Sequence, residues 1–245
     1  MNKADQVYDD FWSTEITAGR KFRHKSWFRR RRYQWLSYLL PRLALKSWPS
    51  RGYHRGVVSI SEGFFADLGC GLGACAGLYY ASSNRPAVGV DASGTAIKFA
   101  HNEKIRLGFK QPLGRLGAVS PSAVISGPNC EAEPLNFLTG DVHQIPLKNN
   151  LFDTVYLGQV LEHVESEHRV LKEAVRILKP DGKLIITVPK ENQLPSPYHL
   201  RIYTAQSLTE LLRPYLPPDE TGTTGKILFH QFDRKRLAVS LRIAK

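Results

Sequence analysis

The sequence predicts an α/β protein built on a doubly wound, seven-stranded, mostly parallel sheet that ends in an antiparallel C-terminal hairpin. Three observations lead there. From residue 64 onward, short apolar runs alternate with helix-patterned segments, the order that makes right-handed crossovers and a parallel sheet. Runs such as AVGVDA (87–92) lack polar alternation, as expected of a strand covered on both faces. The last two strand-like runs are joined by too few residues for a crossover, so they must pair antiparallel.

The elements follow in order. FFADL (64–68) reads as the first strand and passes into a Gly-rich loop, and the Ala-rich stretch 73–82 is the first crossover helix. AVGVDA is the second strand, and Ser93 is placed to cap the helix over 93–107. LNFLTGD (135–141) and FDTVYLGQV (152–160) are strands three and four. A helix over 165–178 stops at Lys179-Pro180-Asp181-Gly182, a turn signal, and GKLIITVP (182–189) is strand five. Thr204 caps a helix beginning TAQSLTELLRPY. KILFHQF (226–232) and RLAVSLRIA (236–244) form the closing hairpin. Residues 108–134, rich in Gly, Pro and Ser, interrupt the rhythm as an inserted loop. Before the sheet, 20–47 reads as basic, aromatic helix broken near Pro41, with Phe28, Trp35, Leu39 and Leu43 on one stripe, and 48–57 as a linker. The expected organisation is thus a basic helical extension over 1–57 and one domain over 58–245.

Composition bounds the function. The chain has 245 residues, 42% apolar and 23% charged, which suits an ordinary globular core. No apolar run is long enough to cross a membrane, and the acidic N-terminus lacks a signal peptide's pattern. Three cysteines (Cys70, Cys75, Cys130) make neither a disulfide framework nor a common zinc spacing, so a reducing, cytoplasmic setting is expected and no metal site is indicated. The net charge of +12 is uneven: residues 1–57 hold 13 Lys and Arg against 4 acids, while 58–225 hold 15 against 17. A near-neutral body with basic ends argues against a nucleic-acid groove in the core and leaves a basic surface for membrane, RNA or an acidic substrate.

The chemistry sits at strand ends. Asp67-Leu-Gly69-Cys70-Gly71-Leu-Gly73 joins the first strand to its helix; the glycines permit a sharp turn and close ligand approach beside free helix N–H groups. Gly69, Gly71 and Ala74 also satisfy the dinucleotide fingerprint, so this loop alone does not choose its ligand. Asp67, two residues before the first glycine, would oppose a pyrophosphate but suits an ammonium. Asp91, followed by Ala92, closes strand two, where a carboxylate can accept both ribose hydroxyls. Asp141 closes strand three, where it can accept from an adenine amino group while the Val142 N–H donates to the ring. As lone residues Asp91 and Asp141 also suit caps and turns; placed together after successive strands they favour S-adenosylmethionine.

FADLGCGLG, VGVDAS, LTGDVHQIPLKNNLFDTVYLGQVLEHV and RILKPDGKLIITVP resemble, in order and spacing, the signature blocks of the class I, Rossmann-like methyltransferases, in the branch that includes ubiquinone/menaquinone-type enzymes. The resemblance runs from about residue 60 to 245, apart from the 108–134 insertion. It implies that Asp67, Gly69, Cys70, Gly71 and Gly73 border the methionine part of S-adenosylmethionine, Asp91 and Ala92 the ribose, Asp141 and Val142 the adenine, and Leu157 to Gln159 the reacting methyl. It implies transfer of that methyl to O, N or C of a small-molecule or lipid- or glycan-linked acceptor. An oxygen acceptor of high pKa needs a base within reach, and the candidates are His163 and His199, each of which also suits an orienting role.

Other readings stay open. The N-terminal extension is either a lid with Arg29–Arg32 in water, or a membrane-surface helix with Trp27, Phe28, Trp35 and Tyr38 at the interface, or an RNA-binding arm. A non-catalytic S-adenosylmethionine-binding protein would keep the same loop and acids. An RNA base methyltransferase is disfavoured by Leu157-Gly158-Gln159-Val160, which stands where an Asn-Pro-Pro-Tyr-type tetrapeptide is expected. The sequence does not fix the oligomeric state.

Overall fold

The computed structural model describes residues 9–11, 13–14, 52–106, 134–191, 196, 198–216 and 226–243. The basic helix expected over 20–47, almost all of the 108–134 insertion and Cys130 lie outside the described residues.

The elements, in chain order, are α1 (Gly52–Ile60), β1 (Phe65–Leu68), α2 (Ala74–Ser83), β2 (Ala87–Asp91), α3 (Gly94–Arg106), β3 (Leu135–Thr139), β4 (Phe152–Gly158), α4 (Glu167–Ile177), β5 (Leu178–Pro189), α5 (Ala205–Leu212) with a 3₁₀ turn (Arg213–Tyr215), β6 (Leu228–His230) and β7 (Arg236–Arg242). The sheet has seven strands in the order β3-β2-β1-β4-β5-β7-β6. β1 to β5 pair parallel, and β7 pairs antiparallel with both β5 and β6. This is the doubly wound arrangement the alternation predicted, and chain order reverses between β1 and β4.

Strand periodicity divides the core between two layers. Ala66, Leu68, Val155, Leu157, Leu184 and Ile186 face one side, with Val170, Leu171, Ala174 and Ile177 of α4 and Leu208 and Leu212 of α5. Phe65, Tyr156 and Ile185 face the other, with Val57 of α1, Ala76 and Tyr79 of α2, and Ile97 and Ala100 of α3. Neighbouring residues on one strand serve opposite layers, and each layer is roofed by helices. That explains why the central strands read as unbroken apolar runs. In β1 and β2 every residue is buried.

The expected caps are present. The Ser93 hydroxyl accepts the Ala96 N–H at 3.1 Å, and Thr204 forms a capping box with Ser207. Two segments differ from expectation. Residues 52–57, expected as linker, belong to α1, because Val57 has a buried berth against α2 and the sheet. Residues 179–182, expected as a turn before strand five, lie inside β5 as an irregularity: Phe152 pairs with Leu178 but Thr154 with Lys183. Asp181 takes φ +60° there while its N–H donates to the Ile243 carbonyl at 2.8 Å. The antiparallel neighbour thus satisfies the looped-out backbone, a partner no local pattern could announce.

Candidate active site

The residues singled out from the sequence gather along the carboxyl ends of β1 to β5, at the reversal point where ligands of open α/β sheets bind. The loop after β1 is the most constrained part. Gly69, Gly71 and Gly73 all have positive φ, +69°, +51° and +75°. A Cβ on Gly69 would lie 2.4 Å from Val160 Cγ2, and one on Gly73 2.5 Å from the Phe137 ring, so both backbone shape and space demand glycine at these two positions. The Gly69 and Cys70 N–H groups donate to the Val90 carbonyl at 2.7 and 3.0 Å. Cys70 is therefore committed: its amide holds β2 and its thiol is buried in the core layer with Cys75, where burial pushes both thiols well up.

Asp67 is 2% exposed, and its Oδ2 accepts the Ala76 N–H at 3.1 Å. Burial pushes its carboxyl up to about 7, opposed by that hydrogen bond and reinforced by the negative charge of Asp91. Asp91 accepts the Gly71 N–H on Oδ2 at 2.7 Å and the Ser93 N–H on Oδ1 at 2.9 Å. Burial raises its pKa, and the same two N–H groups hold it back. Each oxygen keeps one further accepting direction, enough for two vicinal hydroxyls. Ala92, half-buried, stands between Asp91 and Ser93 in the chain.

After β3, Asp141 is exposed and accepts both the N–H and the ring Nδ1–H of His143 on Oδ1, at 2.8 and 2.7 Å. The Val142 side chain turns into the core. His143 is a residue the sequence reading passed over. Its Nε2 is buried without a hydrogen-bond partner among the described residues, and the only sequence signal was its place two residues after Asp141.

After β4, Leu157 is fully buried and offers only backbone to a ligand. Gln159 is different. It has φ +60°, a conformation uncommon outside glycine, and its Nε2 is buried without a partner among the described residues. A strained residue with an unsatisfied donor at a strand end is able to donate to a ligand oxygen.

His163 and His199, from the segments after β4 and β5, meet edge to face with ring centroids 4.8 Å apart. His163 Nδ1 donates to the Tyr198 carbonyl at 3.1 Å. Burial lowers the pKa of both rings. Their meeting is built by neighbours: Arg201 donates to the carbonyls of Leu161 (2.7 Å), Val164 and Glu165 (3.2 Å) and pairs with Glu167 at 3.2 Å. The Tyr203 hydroxyl donates to Leu161 at 3.3 Å, and the Leu200 N–H to the Glu162 carbonyl at 2.8 Å. Thus His199-x-Arg201-x-Tyr203 turns three alternate side chains inward, while Tyr198, Leu200 and Ile202 face water, 47%, 59% and 60% exposed. Beside the pair lies Glu162, buried, with its carboxyl pushed by burial up to about 8.

The short helical piece near the N-terminus reaches this end of the sheet on two sides. Asp9 accepts the Ser93 hydroxyl and, at 3.1 Å, the Thr95 N–H, while the Phe11 ring meets Tyr198 edge-on at 5.9 Å.

The donor set fits S-adenosylmethionine: a buried carboxylate for an ammonium, a two-oxygen acceptor for a diol, an orphaned amide for a carboxylate, and an Asp141–His143 edge for a heterocycle. Known proteins resemble this chain over the same region. Residues 66–186 match the methyltransferase domain family. The ubiquinone/menaquinone biosynthesis C-methyltransferase UbiE of Ruegeria sp. (strain TM1040) is 33% identical over 82 residues, 34% of this chain and 32% of that one. The demethylmenaquinone methyltransferase of Lactobacillus johnsonii is 40% identical over 60 residues, 24% of each chain. The matches span about a third or less of these relatives' length. Among solved structures, a SAM-dependent methyltransferase from Aquifex aeolicus covers 84% of this chain and 99% of its own at TM-score 0.57 and 17% identity. The [4+2]-cyclase SpnF covers 80% and 85%, also at 0.57 and 17%. These last two likenesses concern the fold.

Proposed function

We propose, for a chain whose residues 66–186 are a domain of the class I, S-adenosylmethionine-dependent methyltransferase family, that it transfers a methyl group to a hydroxyl, amine or carbon of an acceptor carried on a lipid. The observation that carries methyl transfer is the convergence of Asp67, Asp91 and the orphaned Gln159 amide on the reversal point between β1 and β4.

Asp67 would take the ammonium and Gln159 the carboxylate of the methionine part, with the Gly69–Gly73 loop beneath them. Asp91 would take the ribose hydroxyls. Asp141, His143 and the Val142 backbone would take the adenine. When bound, S-adenosylmethionine supplies an electrophilic methyl on a sulfonium. The chain's part is to hold the acceptor in line and exclude water. His199 and His163 border the acceptor side, and their lowered pKa values keep them neutral near pH 7, able to receive a proton from an acceptor hydroxyl.

The lipid-linked acceptor is favoured by the exposed row Tyr198, Leu200 and Ile202, which flanks His199. Apolar side chains spaced this way at a site entrance suit an acyl or isoprenoid chain better than a free polar metabolite. Among the described residues no helix is long and apolar enough to cross a membrane, so the acceptor would be met at a surface.

Titration calorimetry with S-adenosylmethionine and S-adenosylhomocysteine, beside an Asp91→Ala control checked for folding, tests the cofactor. Micromolar binding lost in the control supports it; no binding by folded wild type overturns it. Labelled-methyl transfer to a lipid extract, compared with a water-soluble extract, tests the acceptor.

A further inference from the structure

Glu162, His163 and His199 come from two segments that share no regular element, yet a ligating atom of each lies within 4.8 Å of those of the other two. Glu162 is 1% exposed, and both its carboxylate oxygens are buried without a hydrogen-bond donor among the described residues. A buried carboxyl without a strong donor is open to a cation. The two imidazoles stand beside it. His163 donates from Nδ1 to the Tyr198 carbonyl, the kind of outer bond that orients a ligating ring. Arg201 and Tyr203 fasten the two segments together, so the grouping is built rather than incidental.

We propose that Glu162, His163 and His199 bind one divalent transition-metal ion, zinc first among them. Two imidazole nitrogens and one carboxylate match zinc's ligand preferences, and three protein ligands leave a fourth position open, the pattern of a catalytic rather than a structural site. Magnesium and calcium demand more oxygen than this set provides. Ligands of a tetrahedral zinc ion stand roughly 3.4 Å apart, so the ion would draw these side chains closer than they stand. The open position borders the Tyr198–Ile202 row. An acceptor hydroxyl at the open position would lose its proton more readily, to solvent, since imidazoles that ligate the ion no longer act as the base; this part rests on the methyl-transfer reading, whereas metal binding does not. The competing partner for Glu162 is Arg236, whose charge reaches it and whose Nε is also without an acceptor.

The test uses tag-free full-length protein, loaded with zinc, washed by dialysis and assayed for metal content, with cobalt as the spectroscopic probe. The proposal expects one equivalent of zinc and a visible cobalt band, with affinity at least about tenfold weaker in Glu162→Gln and in His199→Asn, and unchanged in His168→Asn, which carries an exposed histidine elsewhere. Circular dichroism confirms that each variant is folded. Substoichiometric zinc, or equal zinc binding in all variants, overturns the metal site and leaves Glu162 to Arg236. Calorimetry with S-adenosylmethionine on the same proteins separates the two readings: cofactor affinity unaffected by Glu162→Gln is expected, and a wild type that binds zinc but not the cofactor sinks methyl transfer alone.

Discussion

Asp91, the last residue of β2, accepts the N–H of Gly71 at 2.7 Å, so the carboxylate proposed for a ribose also holds the loop proposed for the methionine part. Its other oxygen holds Ser93 at the start of α3. Asp91→Ala leaves two buried N–H groups unpaired, and the expected cost is about 2 to 5 kcal/mol in chemical denaturation. Asp91→Asn keeps one acceptor and turns an amide donor toward the other N–H, so it should lose nearly as much. Stability close to wild type in either variant would mean that Asp91 does not organise the loop.

Gly69→Ala tests the loop's fit. Positive φ costs an alanine about 1 to 2 kcal/mol, and the new methyl meets Val160 Cγ2 at 2.4 Å. The expected loss is about 3 kcal/mol or more, with part regained in the Gly69→Ala, Val160→Ala double variant because the steric share is removed. A double variant no better than the sum of the singles contradicts that account.

Asp67 should make stability fall with pH. Its carboxyl is raised from 3.8 to about 7, so between those values the folded chain holds a proton that the unfolded chain has released. The stability from this proton is fully present below the unfolded value and is lost as pH rises through the folded one, on the order of 4 kcal/mol in all. Asp67→Asn should flatten the decline. If the site takes an ammonium there, binding near pH 6 should release close to about one proton, read by calorimetry in buffers of different ionisation heat.

Much of this was legible in the residues. Asp67, Asp91 and Asp141 stand at strand ends because apolar runs stop there, and alternate glycines announce a left-handed loop to anyone reading spacing. Gln159 could be placed at the end of β4 but not seen to have positive φ or an orphaned amide, since both depend on what surrounds it across the sheet, where Thr187 accepts its backbone N–H. His143 carried no pattern of its own. Glu162 and His199 stand 37 positions apart, and their grouping with His163 exists because Arg201, Tyr203 and the Leu200 N–H tie the two segments together. The Lys179–Gly182 turn misled because its local signal is correct while β7 supplies pairing from far along the chain.

Arg201→Lys should separate the two segments after β4 and β5. Lysine keeps the charge and loses the planar fork that serves Leu161, Val164, Glu165 and Glu167. The expected cost is about 2 to 3 kcal/mol, together with a rise in acceptor KM and little change in cofactor affinity.

His199→Asn should lower kcat by about 100-fold or more with a hydroxyl acceptor while leaving the S-adenosylmethionine Kd unchanged. Equal loss of both would place His199 in cofactor binding instead.

β1 is four residues long, buried on both faces and paired on both edges. Its amides can meet solvent only when the whole sheet parts, so hydrogen exchange there should report global unfolding, while the Tyr198–Ile202 row exchanges through small local openings. On the proposed reading, the cofactor lies against the least yielding strand and the acceptor at a rim where substitution disturbs little. A lineage could trade one acceptor for another by altering Tyr198, Leu200 or Ile202 at small expense to folding, whereas drift at Asp67 would be penalised at once. The architecture separates what inheritance must conserve from what it is free to explore.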